Sequence, residues 1–88
     1  MLDLEVPASE IQLTDVALAP GYGVMSDYTR TVIEQTARRE GLIVDPTYTG
    51  KVMAAVFLES PRLQGKHVLM WHTGGQPAIF AYQDALGY

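Results

Sequence analysis

The apolar positions along this chain fall into three patterns, and each predicts an element. Ile11, Leu13, Val16 and Leu18 alternate in part, as they do along a strand with one buried face, which predicts a strand over Ile11–Val16 with the run ended by Pro20. Tyr28, Val32, Ile33 and Ala37 recur at helical spacing and predict an amphipathic helix over Asp27–Glu40. Ser26 or Asp27 can cap its start, Arg38 and Arg39 suit the negative end of its dipole, and Gly41 supplies the stop. From Val52 to Leu58 every residue is apolar. With Asp45 as a natural cap and Pro46 at the first helical position, that run predicts a helix over Pro46–Glu59, buried on several sides and ended at Ser60-Pro61.

His67–Trp71 has an unbroken apolar centre and reads as a strand buried on both faces. The Thr73-Gly74-Gly75 turn follows, and Pro77 sets the start of a last helix over Gly75–Leu86, with Gly87 and Tyr88 fraying. Met1 to Glu10 read as a lead-in without firm structure. The order strand, helix, helix, strand, helix predicts an α/β fold, a small parallel sheet flanked by helices, with residues 1–88 as a single domain.

Size and composition change this picture in one respect. A chain of 88 residues buries on the order of 60 to 65 % of its unfolded surface, which leaves it marginal without help. Its 48 % hydrophobic and 18 % charged residues are a globular composition. A net charge of −4, with six scattered Lys and Arg, provides no basic face for nucleic acid. With no cysteine and only His67 and His72 as imidazoles, neither a disulfide framework nor a metal site is expected. No apolar run reaches membrane-spanning length and the acidic start is unlike a secretory signal, so the expectation is a cytoplasmic protein.

Candidate chemistry gathers at three glycine-bearing segments: Pro20-Gly21-Tyr22-Gly23, Asp45-Pro46-Thr47-Tyr48-Thr49-Gly50-Lys51 and His72-Thr73-Gly74-Gly75. A strand-turn-helix junction leaves amides unpaired at the positive end of a dipole, and its glycines let a ligand approach the backbone. In their order and spacing, from about Asp15 to Tyr82, these segments resemble the C-terminal part of the D-cysteine desulfhydrase and 1-aminocyclopropane-1-carboxylate deaminase family. Those are pyridoxal-phosphate enzymes of the tryptophan-synthase-β fold type, so the resemblance implies that residues 1–88 are a partial domain of a larger catalytic fold.

The resemblance implies that Tyr22 and Tyr48 match two active-site tyrosines, and that Thr49, Thr73 and Gly74 lie at the cofactor ring. Taken alone, the tyrosines read rather as core residues with one wet end, and the threonines as caps or turn residues. The family's deaminases typically have Glu where Thr49 stands and Leu where Thr73 stands. Its desulfhydrases typically have Ser or Thr at the first and Thr at the second, the pair found here. A hydroxyl at the pyridine nitrogen favours its neutral form, a weaker electron sink that is sufficient for β-elimination of a thiol.

Lys51 and Lys66 are the only lysines, and neither matches the family's Schiff-base lysine, which lies upstream of the matched segments. Covalent attachment of pyridoxal phosphate to this chain is therefore not expected, and Lys51 reads as an exposed residue at a helix start. The implied function is the C-terminal part of a D-cysteine desulfhydrase-like lyase acting on a small amino-acid substrate, incomplete as a catalyst alone. Alternatives are a 1-aminocyclopropane-1-carboxylate deaminase and a non-catalytic α/β assembly module. The apolar Val52 to Leu58 run requires cover, which implies a homo-oligomer or a complementing N-terminal chain.

Overall fold

The computed structural model describes residues 5–18 and 20–87, and all the regular secondary structure among them is helical. Helix α1 spans Asp27–Glu40, the bounds that its pattern predicts. Ser26 caps it, its Oγ accepting the Thr29 N–H at 3.1 Å and donating to Thr29 Oγ1 at 3.0 Å. Gly41 closes it in the left-handed conformation, with φ 64°, and donates its N–H to the Ala37 carbonyl at 3.0 Å. The buried stripe is Thr29, Val32, Ile33 and Thr36, a set at helical spacing that leaves Tyr28 exposed.

Helix α2 spans Thr49–Leu58 and begins after the predicted Pro46. The reason is local: Asp45 draws the amides of Thr47, Tyr48 and Thr49 onto its carboxylate, which curls Pro46 to Tyr48 into a turn ahead of the helix. Helices α1 and α2 pack on each other. Gly50 makes that approach possible, since a Cβ there would lie 3.0 Å from both Cδ1 and Cγ1 of Ile33. Val32, Ile33, Val44 and Ala54 are the buried apolar residues of this contact region among the described residues.

The predicted break at Ser60-Pro61 instead starts a one-turn helix α3, Ser60–Leu63. Pro61 is tolerated in that first turn, where its missing N–H would have had no partner. The single helix predicted over Gly75–Leu86 is a 3-10 segment, Gln76–Tyr82, followed by a short α4, Gln83–Leu86. Nothing along it is buried, so no packed face holds it to the α-helical period.

The α/β expectation is overturned: among the described residues there is no strand and hence no sheet. Both predicted strands are apolar runs without a neighbour to pair with. Over Ile11–Val16, Leu13 is 94 % exposed, and the chain turns at once, with Leu18 N–H donating to the Asp15 carbonyl at 3.0 Å. Over His67–Trp71, the side chains of Leu69 and Trp71 are 84 % and 77 % exposed. Extended backbone becomes a strand only when another strand takes its N–H and C=O groups.

The all-apolar helix is also less covered than predicted, with Val52 and Leu58 exposed and Met53, Val56 and Phe57 half-buried. The radius of gyration is 14.5 Å, against about 12 Å for a well-packed chain of this length. Within the predicted lead-in, Ala8–Glu10 forms a single 3-10 turn. The first residues of that lead-in and the predicted fraying of Tyr88 lie outside the described residues. Among the described residues no helix is long and apolar enough to cross a membrane.

Candidate functional site

The site is built around Asp45, which is fully buried. Its Oδ2 accepts the N–H groups of Thr47 and Tyr48, both at 2.8 Å, and its Oδ1 accepts the Thr49 N–H at 2.9 Å and the Thr49 hydroxyl at 2.7 Å. The same hydroxyl accepts the Asp45 N–H at 2.9 Å, and the Asp45 carbonyl accepts the Gly50 N–H at 2.6 Å. Burial pushes the Asp45 carboxyl upward, but the bonds from Thr49, Tyr48 and Thr47 together outweigh it and hold the group below its ordinary value. The loop is a closed unit with its charge satisfied from within.

Two other segments dock on this loop. The His72 ring bridges Ile43 and Gly74: Nε2–H donates to the Ile43 carbonyl at 2.8 Å, and Nδ1 accepts the Gly74 N–H at 3.0 Å. That pair of bonds fits the neutral ring with its proton on Nε2. Next along the chain, Gly75, at φ 91°, lies so close to the Asp45 carboxylate that a Cβ would fall 2.6 Å from Oδ1. No side chain fits there.

The Gly21-Tyr22-Gly23 segment approaches from the other side of the sequence. Tyr22 and Tyr48 meet hydroxyl to hydroxyl at 2.8 Å, with their rings edge-on and centroids 6.0 Å apart. The hydrogen bond with Tyr22 raises the Tyr48 pKa, with further contributions from the charge of Tyr22, burial and the charge of Asp45. Tyr48 is therefore a neutral phenol across the physiological range. In such a pair one O–H is given to the other oxygen and the second remains free, so the two can hold or pass one proton at the surface.

Lys51 is 7 % exposed, contrary to its expected place on the surface, because its ammonium reaches the carbonyls of Leu18 and Gly21. Tyr82 donates its hydroxyl to the Gly23 carbonyl and contacts Thr47 Oγ1 at 3.2 Å. Beside Tyr48 and Lys51 the 14–22 segment leaves clefts of about 350 and 370 Å³. One is lined mainly by apolar groups of Ala17, Leu18, Val52 and Ala55, and the other by Leu18, Gly21 and Tyr22 with Thr47, Tyr48 and Lys51. Each has room for a molecule the size of a small amino acid.

Of the expected site residues, the structure joins Tyr22 to Tyr48 and brings the backbone beside Gly74 onto the loop that holds Thr49. It separates the two threonines by environment: Thr49 is 1 % exposed, while Thr73 is on the surface. Thr49 does not fit a pyridine nitrogen, since its proton is given to Asp45 and its oxygen is enclosed. The amides of Thr47, Tyr48 and Thr49 are likewise taken by Asp45, which leaves them unavailable to a phosphate. Thr73, Tyr22 and Tyr48 are exposed residues, and as neutral hydroxyls they suit the ring of such a group in chemistry.

Asp45, Lys51 and Tyr82 are the site residues that the sequence reading missed in role. An Asp followed at the fourth position by Thr marks an Asx turn closed by a hydroxyl, and that signal was present for Asp45. Among the described residues no group of three or more His, Cys, Asp or Glu could hold a metal ion. No protein-family model matches the sequence.

Proposed function

We propose that this chain is the C-terminal part of a cytoplasmic, pyridoxal-phosphate-dependent lyase resembling D-cysteine desulfhydrase, incomplete as a catalyst alone. The observation that carries the reading is the meeting of Tyr22 and Tyr48, 26 positions apart, at 2.8 Å beside a cleft of amino-acid size. In the reaction the substrate's α-proton is removed, the Cβ–S bond breaks with its electron pair on sulfur, and the enamine released takes up water to give pyruvate and ammonia. Bound pyridoxal phosphate supplies the electron sink for the α-carbon. The phenol pair supplies a neutral O–H at the site, able to donate to a substrate carboxylate or to the departing sulfur. Thr73 would be the hydroxyl beside the cofactor ring, while Thr49 acts as a structural latch on Asp45.

The exposed apolar side chains of Val52, Leu58, Leu69 and Trp71 support a homo-oligomer or a complementing N-terminal chain as the partner. The test is complementation: the chain is combined with the N-terminal part of a D-cysteine desulfhydrase, and hydrogen sulfide and pyruvate are measured with D-cysteine and pyridoxal phosphate. Equal release of both products, lost in Tyr48→Phe, is expected. A complex that assembles and binds the cofactor but releases neither product refutes the reading, and release of 2-oxobutanoate from 1-aminocyclopropane-1-carboxylate would favour the deaminase. A second reading, a non-catalytic assembly module, is favoured by the enclosure of Thr49 within the Asp45 loop. It would be marked by assembly without catalysis in every combination.

A further inference from the structure

Tyr22 is 80 % exposed, so packing does little to fix its ring. It also stands between two glycines, the residues that lose most conformational entropy when ordered. A single hydrogen bond at the surface contributes only about 0.5 to 1.5 kcal/mol, too little to hold such a segment against Tyr48. Something else sets the position of Tyr22, and the structure contains it on both sides. The carbonyl before Tyr22, that of Gly21, accepts from the Lys51 ammonium, and the carbonyl after it, that of Gly23, accepts from the Tyr82 hydroxyl.

We propose that Lys51 and Tyr82 are positioning residues for the Tyr22–Tyr48 pair, a clamp on the two carbonyls that flank Tyr22. The proposal rests on the reading of those tyrosines as working groups, and it adds what sets their geometry. Lys51 follows Tyr48 into the first turn of α2, so the helix start that presents one phenol also grips the segment carrying the other. Its ammonium additionally reaches the Leu18 carbonyl at 3.4 Å, and a charged donor makes a stronger bond than a neutral one. Tyr82 arrives from the end of the 3-10 segment, 59 positions from Gly23. Through Thr47 Oγ1, at 3.2 Å, it touches the residue before Tyr48 as well. The clamp thus ties the 20–23 segment to the 45–51 segment and to the end of the 3-10 segment.

The test uses the full chain with ring-labelled tyrosine in nuclear magnetic resonance. Its readouts are the ring-to-ring contact between Tyr22 and Tyr48 at neutral pH and the ionisation midpoint of Tyr48. Lys51→Met and Tyr82→Phe should each abolish the ring contact and lower the Tyr48 midpoint to that of Tyr22→Phe. Lys51→Arg, which keeps a cationic donor, should restore both. Ile33→Val, which weakens the core without touching the clamp, should change neither. An unchanged contact and midpoint in folded Lys51→Met and folded Tyr82→Phe overturns the proposal. If Lys51→Met does not fold, Tyr82→Phe decides alone. No catalytic readout enters, so loss of the pair in a chain that never yields a lyase would remove the function and leave the clamp standing.

Discussion

Replacing Gly75 by Ala measures how tightly the 72–75 turn sits on the Asp45 loop. The new methyl would meet Asp45 Oδ1 at 2.6 Å and Cγ at 2.9 Å, distances that real carbon atoms do not sustain. The carboxylate cannot swing aside without releasing the amides of Thr47, Tyr48 and Thr49, so the turn must lift or the loop must deform. Gly74 provides the control. It also has positive φ, 101° against 91° for Gly75, yet a methyl on it finds only Gln76 Oε1 at 3.9 Å. Both alanine variants bear the left-handed backbone strain of about 1–2 kcal/mol, and only Gly75→Ala adds overpacking of about 1–3 kcal/mol. With an m-value near 1 kcal/mol/M, about the least expected for a small chain, the urea midpoint of Gly75→Ala should lie roughly 1–3 M below that of Gly74→Ala. Far-UV circular dichroism against urea reads it directly. Equal midpoints would refute the close packing of the turn on Asp45.

Three further outcomes follow from the same loop and from the exposed helix. Asp45 has a folded pKa below its ordinary value, so its stabilisation is complete above the unfolded carboxyl value and is lost as pH falls through the folded one. Stability should therefore decline below about pH 4, and Asp45→Asn should flatten that decline; a slope identical to the parent's would show that another carboxylate controls it. Thr49→Glu would place a second carboxylate against buried Asp45 and destabilise by about 3–5 kcal/mol, whereas Thr73→Leu, on the surface, should stay within about 0.5 kcal/mol of the parent in chemical unfolding. Val52→Asp, on the exposed side of α2, should shift sedimentation equilibrium toward monomer, and a parent that is monomeric at every concentration with a cooperative thermal transition would contradict the need for a partner.

What the sequence made legible was local. The α1 bounds followed from Ser26, the apolar stripe and Gly41 because a cap, a period and a left-handed stop all act within a few residues. The strands were illegible for the opposite reason. His67–Trp71 has the composition of a buried strand, but pairing depends on a neighbour that no local pattern can supply, and Trp71 stands 77 % exposed. At the site, no spacing announces the meeting of Tyr22 with Tyr48; the resemblance marked each as a candidate but did not pair their hydroxyls. Lys51 was misread because a lysine at a helix start is ordinarily solvated, and only a chain returning overhead, here at Leu18 and Gly21, gives its ammonium carbonyls to bind. Asp45 carried a readable turn signal, but its close contact with Gly75 depends on tertiary structure.

The Asp45 loop also fixes an order of events in time. All its bonds run between Asp45 and residues no further along than Gly50, so it can close while the rest of the chain is still unfolded, on the scale of about 10–100 ns for a short loop. The attachments at Gly75, Gly21 and Gly23 require closure of much longer loops and come later. A loop that closes first and is docked upon afterwards divides its mutants by rate. Asp45→Ala should slow refolding, because its bonds are already made at the barrier. Gly75→Ala should leave refolding nearly unchanged and speed unfolding, because its contact is made after the barrier. In stopped-flow kinetics the two variants would bend opposite arms of the same chevron, although the two residues touch in the folded chain.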